Sequence, residues 1–298
     1  MDLRHHATLL PPVRGADLLT ATAGPNNDAI SLWSVPTESR WIVTLQSTQE
    51  SIRIHVDEPP PVSSEAKMLI QPLPDGEVLV AARDSAWKRS GPEQNAFVLN
   101  AHGAIVKTGY VGNDIRVFLS APNGDTWLGY GDRGIYGSRK GRRGSLDPTQ
   151  SGIVRINKEL EIVERYKAAS AEDFIDHCYD INVGLIDAYG YFYESFELVR
   201  LGHRLPRIWQ PNVPGAKAFL IDGEACAFVG GYDGNSRPVG LREGFLSETG
   251  FELVKESEFW LPPSEDGNSG HPHHFVSRGP ELHVFQGADW YRASMSEA

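Results

Sequence analysis

The chain has 298 residues, 40% of them hydrophobic, with 30 glycines, 20 prolines, a formal net charge of −11 and a pI near 5.4. That apolar content builds a sizeable core, while the excess of carboxylates argues against general binding to nucleic acid or to an anionic membrane surface. So much glycine and proline leaves windows too short for ordinary helices, which excludes a helical architecture.

Residues 1–19, MDLRHHATLLPPVRGADLL, hold no apolar run like a signal-peptide core, and no stretch approaches the roughly 18 apolar residues of a membrane span. The two cysteines, Cys178 and Cys226, are too few for a disulfide framework. The expectation is a cytoplasmic protein whose thiols are reduced and buried.

From residue 16 onward the chain is a succession of short strand signals. ADLLTATA, AISLWSVP, WIVTLQS and SIRIHV form a first group; KMLIQPLPDG, EVLVAARD, NAFVLNAHG and AIVKTGYVG form a second. The third runs from IRVFLSAPNG through a strand with Trp127 and a long loop over 133–145 to the two short strands of SGIVRINKELEIVERYKA. HCYDINV, AYGYFYES, FELVRLGH and RLPRIWQPN follow, then AKAFLID, EACAFVGGY, PVGLREGFL and FELVKESEFW. The last group, HHFVSRG, PELHVFQG and DWYRASM, has three strands before the chain ends. Pro-Asp-Gly and Pro-Asn-Gly between the first two strands of the second and third groups are turn sequences, since proline presets the turn and Asn, Asp and Gly tolerate positive φ.

Four-stranded meanders repeating about every 40–55 residues predict an all-β fold, a β-propeller, where a pair of β-sandwiches would explain the strands but not the repeat. Six blades result, at approximately 12–60, 61–112, 113–168, 169–213, 214–262 and 263–298, with residues 3–11 supplying the missing strand of the last and the whole of 1–298 forming one domain. Such a closure suppresses an exposed sheet edge. Within DTWLGYGDRGIYG, residues 125–137, Gly129 and Gly131 are expected to allow close approach, Gly134 and Gly137 to turn the chain out of the strand, and Trp127 and Tyr136 to supply packing.

The stretch GDTWLGYGDRGIYG resembles the W-x-G-x-x-x-x-G-[IL] repeat of propellers in bacterial sensor proteins. GYGDRGIYG, CYDINV, RGPELHVF and DWYR, in that order, resemble a group of uncharacterised bacterial cytosolic propeller-like proteins, from about residue 68 onward. The resemblance implies the propeller fold and carries no chemistry.

Naming the strands of each blade A to D in chain order, the long connections fall between B and C (SAWKRSGPEQ, RGIYGSRKGRRGSLDPTQ, YDGNSR) and between D and the next A (DEPPPVSSEA, LPPSEDGNSGHP), while the A–B turns are mostly tight. Those long connections emerge on one face, over the central channel, where function is expected. Folding each A–B hairpin about its turn sets Arg116 opposite Gly131 and Asp132, brings Asp176, His177 and Cys178 level with Tyr193, Glu194 and Ser195, and brings His271 and His273 toward Phe285 and Gln286. The candidate acid–base residues are therefore His177, Glu194 and Asp132, and the candidate ligand-binding residues are Arg83, Asp84, Arg116, Asp176, Tyr193 and His273. His271 and His273 have the H-x-H spacing of a metal site, although Pro272 and the preceding glycines suit a loop with solvated histidines equally well. Asp180 and Asn182 share one face of an apolar strand, so the Asp180 carboxylate must meet a donor, a water or an ion.

The basic run from Arg133 through Arg139, Lys140, Arg142 and Arg143 reads as a solvated loop or as a site for a phosphate or an acidic partner. Nucleotide-cofactor, nucleophile-elbow and paired C-x-x-C motifs are missing, so the only cofactor considered is a metal ion at the channel mouth. The expected function is binding of a small molecule or a protein on the long-loop face, with no membrane partner. The competing reading is a hydrolase or lyase using His177 with Glu194 or Asp132.

Overall fold

A computed structural model describes all residues except 48–50, 64, 89–90, 138–146, 169–173, 203–206, 233–237, 249, 262–272 and 296–298. The strands in chain order are β1 (Arg4–Thr8), then β2 (Asp17–Ala23), β3 (Ala29–Val35), β4 (Arg40–Gln46) and β5 (Ser51–Val56). The second meander starts with β6 (Met68–Pro72) and β7 (Val78–Ala82), carries a small hairpin of β8 (Trp87–Lys88) and β9 (Gly91–Pro92) in its B–C connection, and ends with β10 (Ala96–Leu99) and β11 (Ile105–Gly109). The third is β12 (Ile115–Ser120), β13 (Thr126–Tyr130), β14 (Ile153–Ile156) and β15 (Ile162–Arg165), interrupted by the short helix α1 (Asp132–Gly137). The fourth is β16 (His177–Val183), β17 (Ala188–Tyr193), β18 (Glu197–Leu201) and β19 (Arg207–Trp209), and the fifth β20 (Ala218–Asp222), β21 (Ala225–Val229), β22 (Val239–Leu246) and β23 (Phe251–Phe259). The last holds β24 (His274–Arg278), β25 (Glu281–Gln286) and β26 (Asp289–Ser294), with β1 as its outer strand.

These are six four-stranded antiparallel sheets, the arrangement of a six-bladed β-propeller. The chain divides into two compact units: unit 1 is Met1–Thr8 with Ala168–Ala298, and unit 2 is Leu9–Lys167, each with three of the blades. The outer strand of the last blade comes from the N-terminus as the repeat predicts. β1 pairs with β26 from Arg4↔Arg292 to Thr8↔Asp289, Thr8 Oγ1 donates to Asp289 Oδ1 at 2.6 Å, and His6 packs edge-on to Trp290 at 4.3 Å.

Burial follows strand position. All five residues of β7 and of β13 are buried, whereas outer strands such as β11 and β15 are exposed or half-buried along their length. The tight A–B turns have the chemistry their sequences demand: Asp75 and Gly76 take φ of 61° and 73°, and Gly124 takes 89°.

Each unit is stitched by buried polar side chains on an inner strand. In unit 2, Gln71 on β6 accepts from the Ser120 backbone N and Oγ at 3.1 and 3.0 Å on β12, and its Nε2 reaches Thr22 Oγ1 on β2 at 3.5 Å. In unit 1, Asp180 on β16 accepts from Phe219 N on β20 at 3.1 Å, from Ser277 Oγ on β24 at 2.6 Å and from Ile181 N at 2.9 Å. Asn182 donates to the Phe219 and Gly279 carbonyls at 2.9 and 2.8 Å and accepts from Gly279 N at 2.7 Å. Two of the three donors to the buried carboxylate thus come from neighbouring blades. Cys178 and Cys226 are free and fully buried, and burial pushes both thiols up.

Candidate functional site

In unit 2, Arg83, Asp84, Arg116 and Asp132 fall around a centre that sequence reasoning missed: Asp114, which is fully buried. Its carboxylate meets Arg116 Nε at 3.0 Å, Arg133 Nη2 at 3.2 Å and Arg83 Nη2 at 3.4 Å, and Arg133 also reaches Asp84 at 3.4 Å. Asp132, exposed at the start of α1, adds to the negative field around Arg133. Burial works to raise the Asp114 carboxyl, but Arg116 and Arg133 together hold it below the usual carboxylate range.

The local fold explains the convergence. The chain after β7 is tied to the segment before β12 by Ile115 N donating to Arg83 O at 3.0 Å and Ser85 N to Asn113 Oδ1 at 2.8 Å. Arg116 lies in a β-bulge, since Ile115 pairs with Tyr130 and Val117 with Gly129, and the bulge aims its side chain at Gly131. A Cβ at Gly131 would stand 2.3 Å from Asp114 Oδ2 and 2.6 Å from Arg116 Nε, so only glycine leaves room for the ion pair. The expected close approach at Gly131 is therefore real.

Three expectations for this stretch need correction. The chain beyond β13 does not enter the long loop directly but turns into α1, with Ile135 N donating to Gly131 O at 3.0 Å and Ile135 fully buried. Gly134 lies in that helix because the backbone of Asn113 is too near for a side chain, a Cβ falling 2.2 Å from Asn113 O. Trp127 packs inside as expected, but Tyr136 is 43% exposed on the helix's outer side. Arg133, at the start of the basic run, belongs to the ion-pair cluster; Arg139, Lys140, Arg142 and Arg143 lie outside the described residues.

Beside this cluster is a cleft of about 540 Å³, walled by the D–A connection through Pro61, Val62 and Lys67 and by the B–C connection through Asp84, Ser85 and Glu93. Those are two of the long connections singled out in the sequence. Asn95 anchors the cleft's floor, donating to the Ala82 and Gly112 carbonyls at 2.9 and 2.8 Å and accepting from Val111 N at 3.1 Å.

In unit 1, Asp176, His177, Tyr193 and Glu194 gather at the end of the β16–β17 hairpin. His177 pairs with Tyr193, and Asp176 N donates to Tyr193 O at 3.2 Å. The expected register is off by one residue, with Cys178 pairing with Phe192 rather than with Tyr193; Glu194 and Ser195 lie in the turn toward β18. Burial, and then the neighbouring Glu194 charge, raise the Asp176 carboxyl. Around them is an aromatic group: the His177 ring lies 5.3 Å from Tyr179, Tyr193 5.6 Å from Phe196, and Tyr179 and Tyr232 share a hydroxyl–hydroxyl bond of 3.0 Å. His273 precedes β24 with its ring 6.4 Å from Phe275, and His271 lies outside the described residues. Among the described residues no three His, Cys, Asp or Glu side chains gather as a metal site.

Fold and site together define a β-propeller with a cleft and a charged cluster among its long connections. No family model matches the sequence, and no curated protein matches it. Similar solved structures include AztD from Citrobacter koseri at 12% identity and a TM-score of 0.44, covering 86% of this chain and 63% of that one. A putative oxidoreductase (glucose dehydrogenase) from Thermus thermophilus is 10% identical with a TM-score of 0.46, over 97% and 99% of the two chains. Polysaccharide lyase Uly1 is 8% identical with a TM-score of 0.44, over 95% and 90%. The chain thus spans about 63% of the length of AztD, and likeness of this degree transfers no substrate or activity.

Proposed function

We propose that this chain is a binding propeller that takes an anionic small molecule on the long-connection side of unit 2, at the cleft beside the Asp114 cluster. The observation that carries this reading is the convergence of Arg83, Arg116 and Arg133 on one buried carboxylate, a cluster joined to the cleft's lining through the Arg133–Asp84 pair. Each guanidinium has about five N–H donors and a carboxylate only about four lone-pair positions, so Asp114 orients the three cations without exhausting them. Arg116 and Arg133 keep 31% and 63% of their side-chain surface exposed, which leaves donors facing outward. Bidentate donation to a carboxylate or phosphate is what such pre-oriented guanidiniums do best. Thermal shift with succinate and inorganic phosphate, repeated on Arg116→Gln, tests it: stabilisation of the wild type and its loss in the variant support the reading, and equal response of both rejects it.

A second reading, a hydrolase or lyase acting through His177, Asp176 and Glu194, draws on one observation. Burial and the Glu194 charge hold the Asp176 carboxyl up, and a carboxyl raised beside a second carboxylate supplies an acid and a base.

A further inference from the structure

Unit 1 carries a second cleft, on its A–B turns, which neither reading above uses. It encloses about 490 Å³, within the ~300–1,000 Å³ of small-molecule sites, and lies among the turns joining β16 to β17, β20 to β21 and β24 to β25. One of those turns is unusual. Where the second and third blades turn on Pro-Asp-Gly and Pro-Asn-Gly, the fourth presents Leu185 and Ile186, 77% and 94% exposed. A tight turn gains nothing from two adjacent aliphatic side chains in water, and apolar surface left beside a cleft marks a place for a ligand. Tyr189 and Trp209, with ring centroids 6.2 Å apart, continue the apolar lining.

The charges on the cleft select among apolar ligands. Both arginines are already engaged: Arg200 donates to Asp187 Oδ1 from Nε and Nη2 at 3.1 and 2.7 Å, and Arg207 lies over the Trp209 ring at 4.8 Å and donates to Ser247 O at 3.3 Å. Asp222 and Glu224, flanking Gly223 on the facing turn, have no side-chain partner among the described residues. Arg200 is neutralised by Asp187, whereas the Arg207 charge, which a carbonyl and a ring do not cancel, stands against those of Asp222 and Glu224, so the balance on the lining is negative by one charge.

We propose that this cleft is a binding site for a small aromatic amine, its ring held between Leu185, Ile186 and the Tyr189–Trp209 wall and its ammonium facing Asp222 and Glu224. A neutral ligand of the same shape gains the apolar contacts alone, and a carboxylate ligand meets repulsion. The site is independent of the Asp114 cluster and has the opposite charge preference.

The probes are phenethylamine, 2-phenylethanol and 3-phenylpropanoate, with binding followed by calorimetry and by tryptophan fluorescence. Phenethylamine should bind about fivefold more tightly than the alcohol, the scale of a partly exposed ion pair, and the carboxylate most weakly. Asp222→Asn with Glu224→Gln should bring the amine down to the alcohol's affinity, and Leu185→Ser with Ile186→Ser should weaken amine and alcohol alike. These turn substitutions touch no core position, and matching thermal melts will show that each variant is folded. Equal affinity for the three probes, no binding of the amine, or amine binding unchanged in the Asp222/Glu224 variant would overturn the proposal.

Discussion

Asp180 in unit 1 and Asp114 in unit 2 are both buried, and the fold satisfies them by different means. Asp180 in unit 1 receives three uncharged donors from three inner strands; Asp114 in unit 2 receives three guanidiniums. In unit 2 the part that Asp180 plays falls to Gln71, which bridges β2 and β12 with neutral hydrogen bonds. The difference separates a structural carboxylate from one that organises cations beside a cleft. Removing the first should damage the fold, and removing the second should mainly damage binding.

The largest expected effect is that of Asp180→Ala. It strands Phe219 N and Ser277 Oγ in a dry interior and should cost about 3 kcal/mol, read as the shift in urea midpoint at constant slope. A loss below about 1 kcal/mol would show that the stitching contributes little. Asp114→Ala should cost less, about 1–2 kcal/mol, because it removes the buried charge together with its pairing and leaves arginines that can reach water.

The same comparison predicts opposite pH dependence. Burial holds the Asp180 carboxyl up at about 7 despite its three donors, so the fold favours the protonated form. Its contribution to stability is complete below the unfolded carboxylate range and falls as pH rises toward 7. Wild type's margin over Asp180→Asn should therefore shrink between about pH 4.5 and about pH 7.5. Asp114 is shifted the other way, and its contribution is lost as pH falls below the ordinary carboxylate range. Wild type's margin over Asp114→Asn should shrink on acidification, and a flat margin in either series would contradict the assigned cause. The smallest change in stability belongs to Arg116→Gln, about 0.5 kcal/mol for a half-exposed partner of a charge that retains Arg83 and Arg133.

Much of this was readable in advance, and the misses have physical causes. Period-two strands and Pro-Asx-Gly turns revealed the blades, and the missing fourth strand of the last blade pointed to β1. Asp180 declared itself as a carboxylate inside an apolar strand. Asp114 did not, because it precedes β12 in GNDIR, where an aspartate is an ordinary turn residue; its φ of 56° and its burial are tertiary facts. Its one sequence signal was the cluster of Gly112, Gly131 and Gly134, each of which leaves space for a neighbour. The Cys178 register failed at the bulge between Cys178 and Asp180, which no hairpin folding of the sequence anticipates. The turn-side cleft has no local sequence signature, because its lining is assembled from three A–B turns that are far apart in the chain.

The central claim, that unit 2 binds an anion through arginines held by Asp114, is tested most directly by calorimetric titration of succinate and inorganic phosphate into three proteins: wild type, Arg116→Gln with Arg133→Gln, and Asp222→Asn with Glu224→Gln. The account predicts that at least one anion binds the wild type, that binding weakens at least about tenfold in the arginine variant, and that the acidic-turn variant binds as the wild type does. Failure of both anions to bind, or undiminished binding by a folded arginine variant, would contradict it.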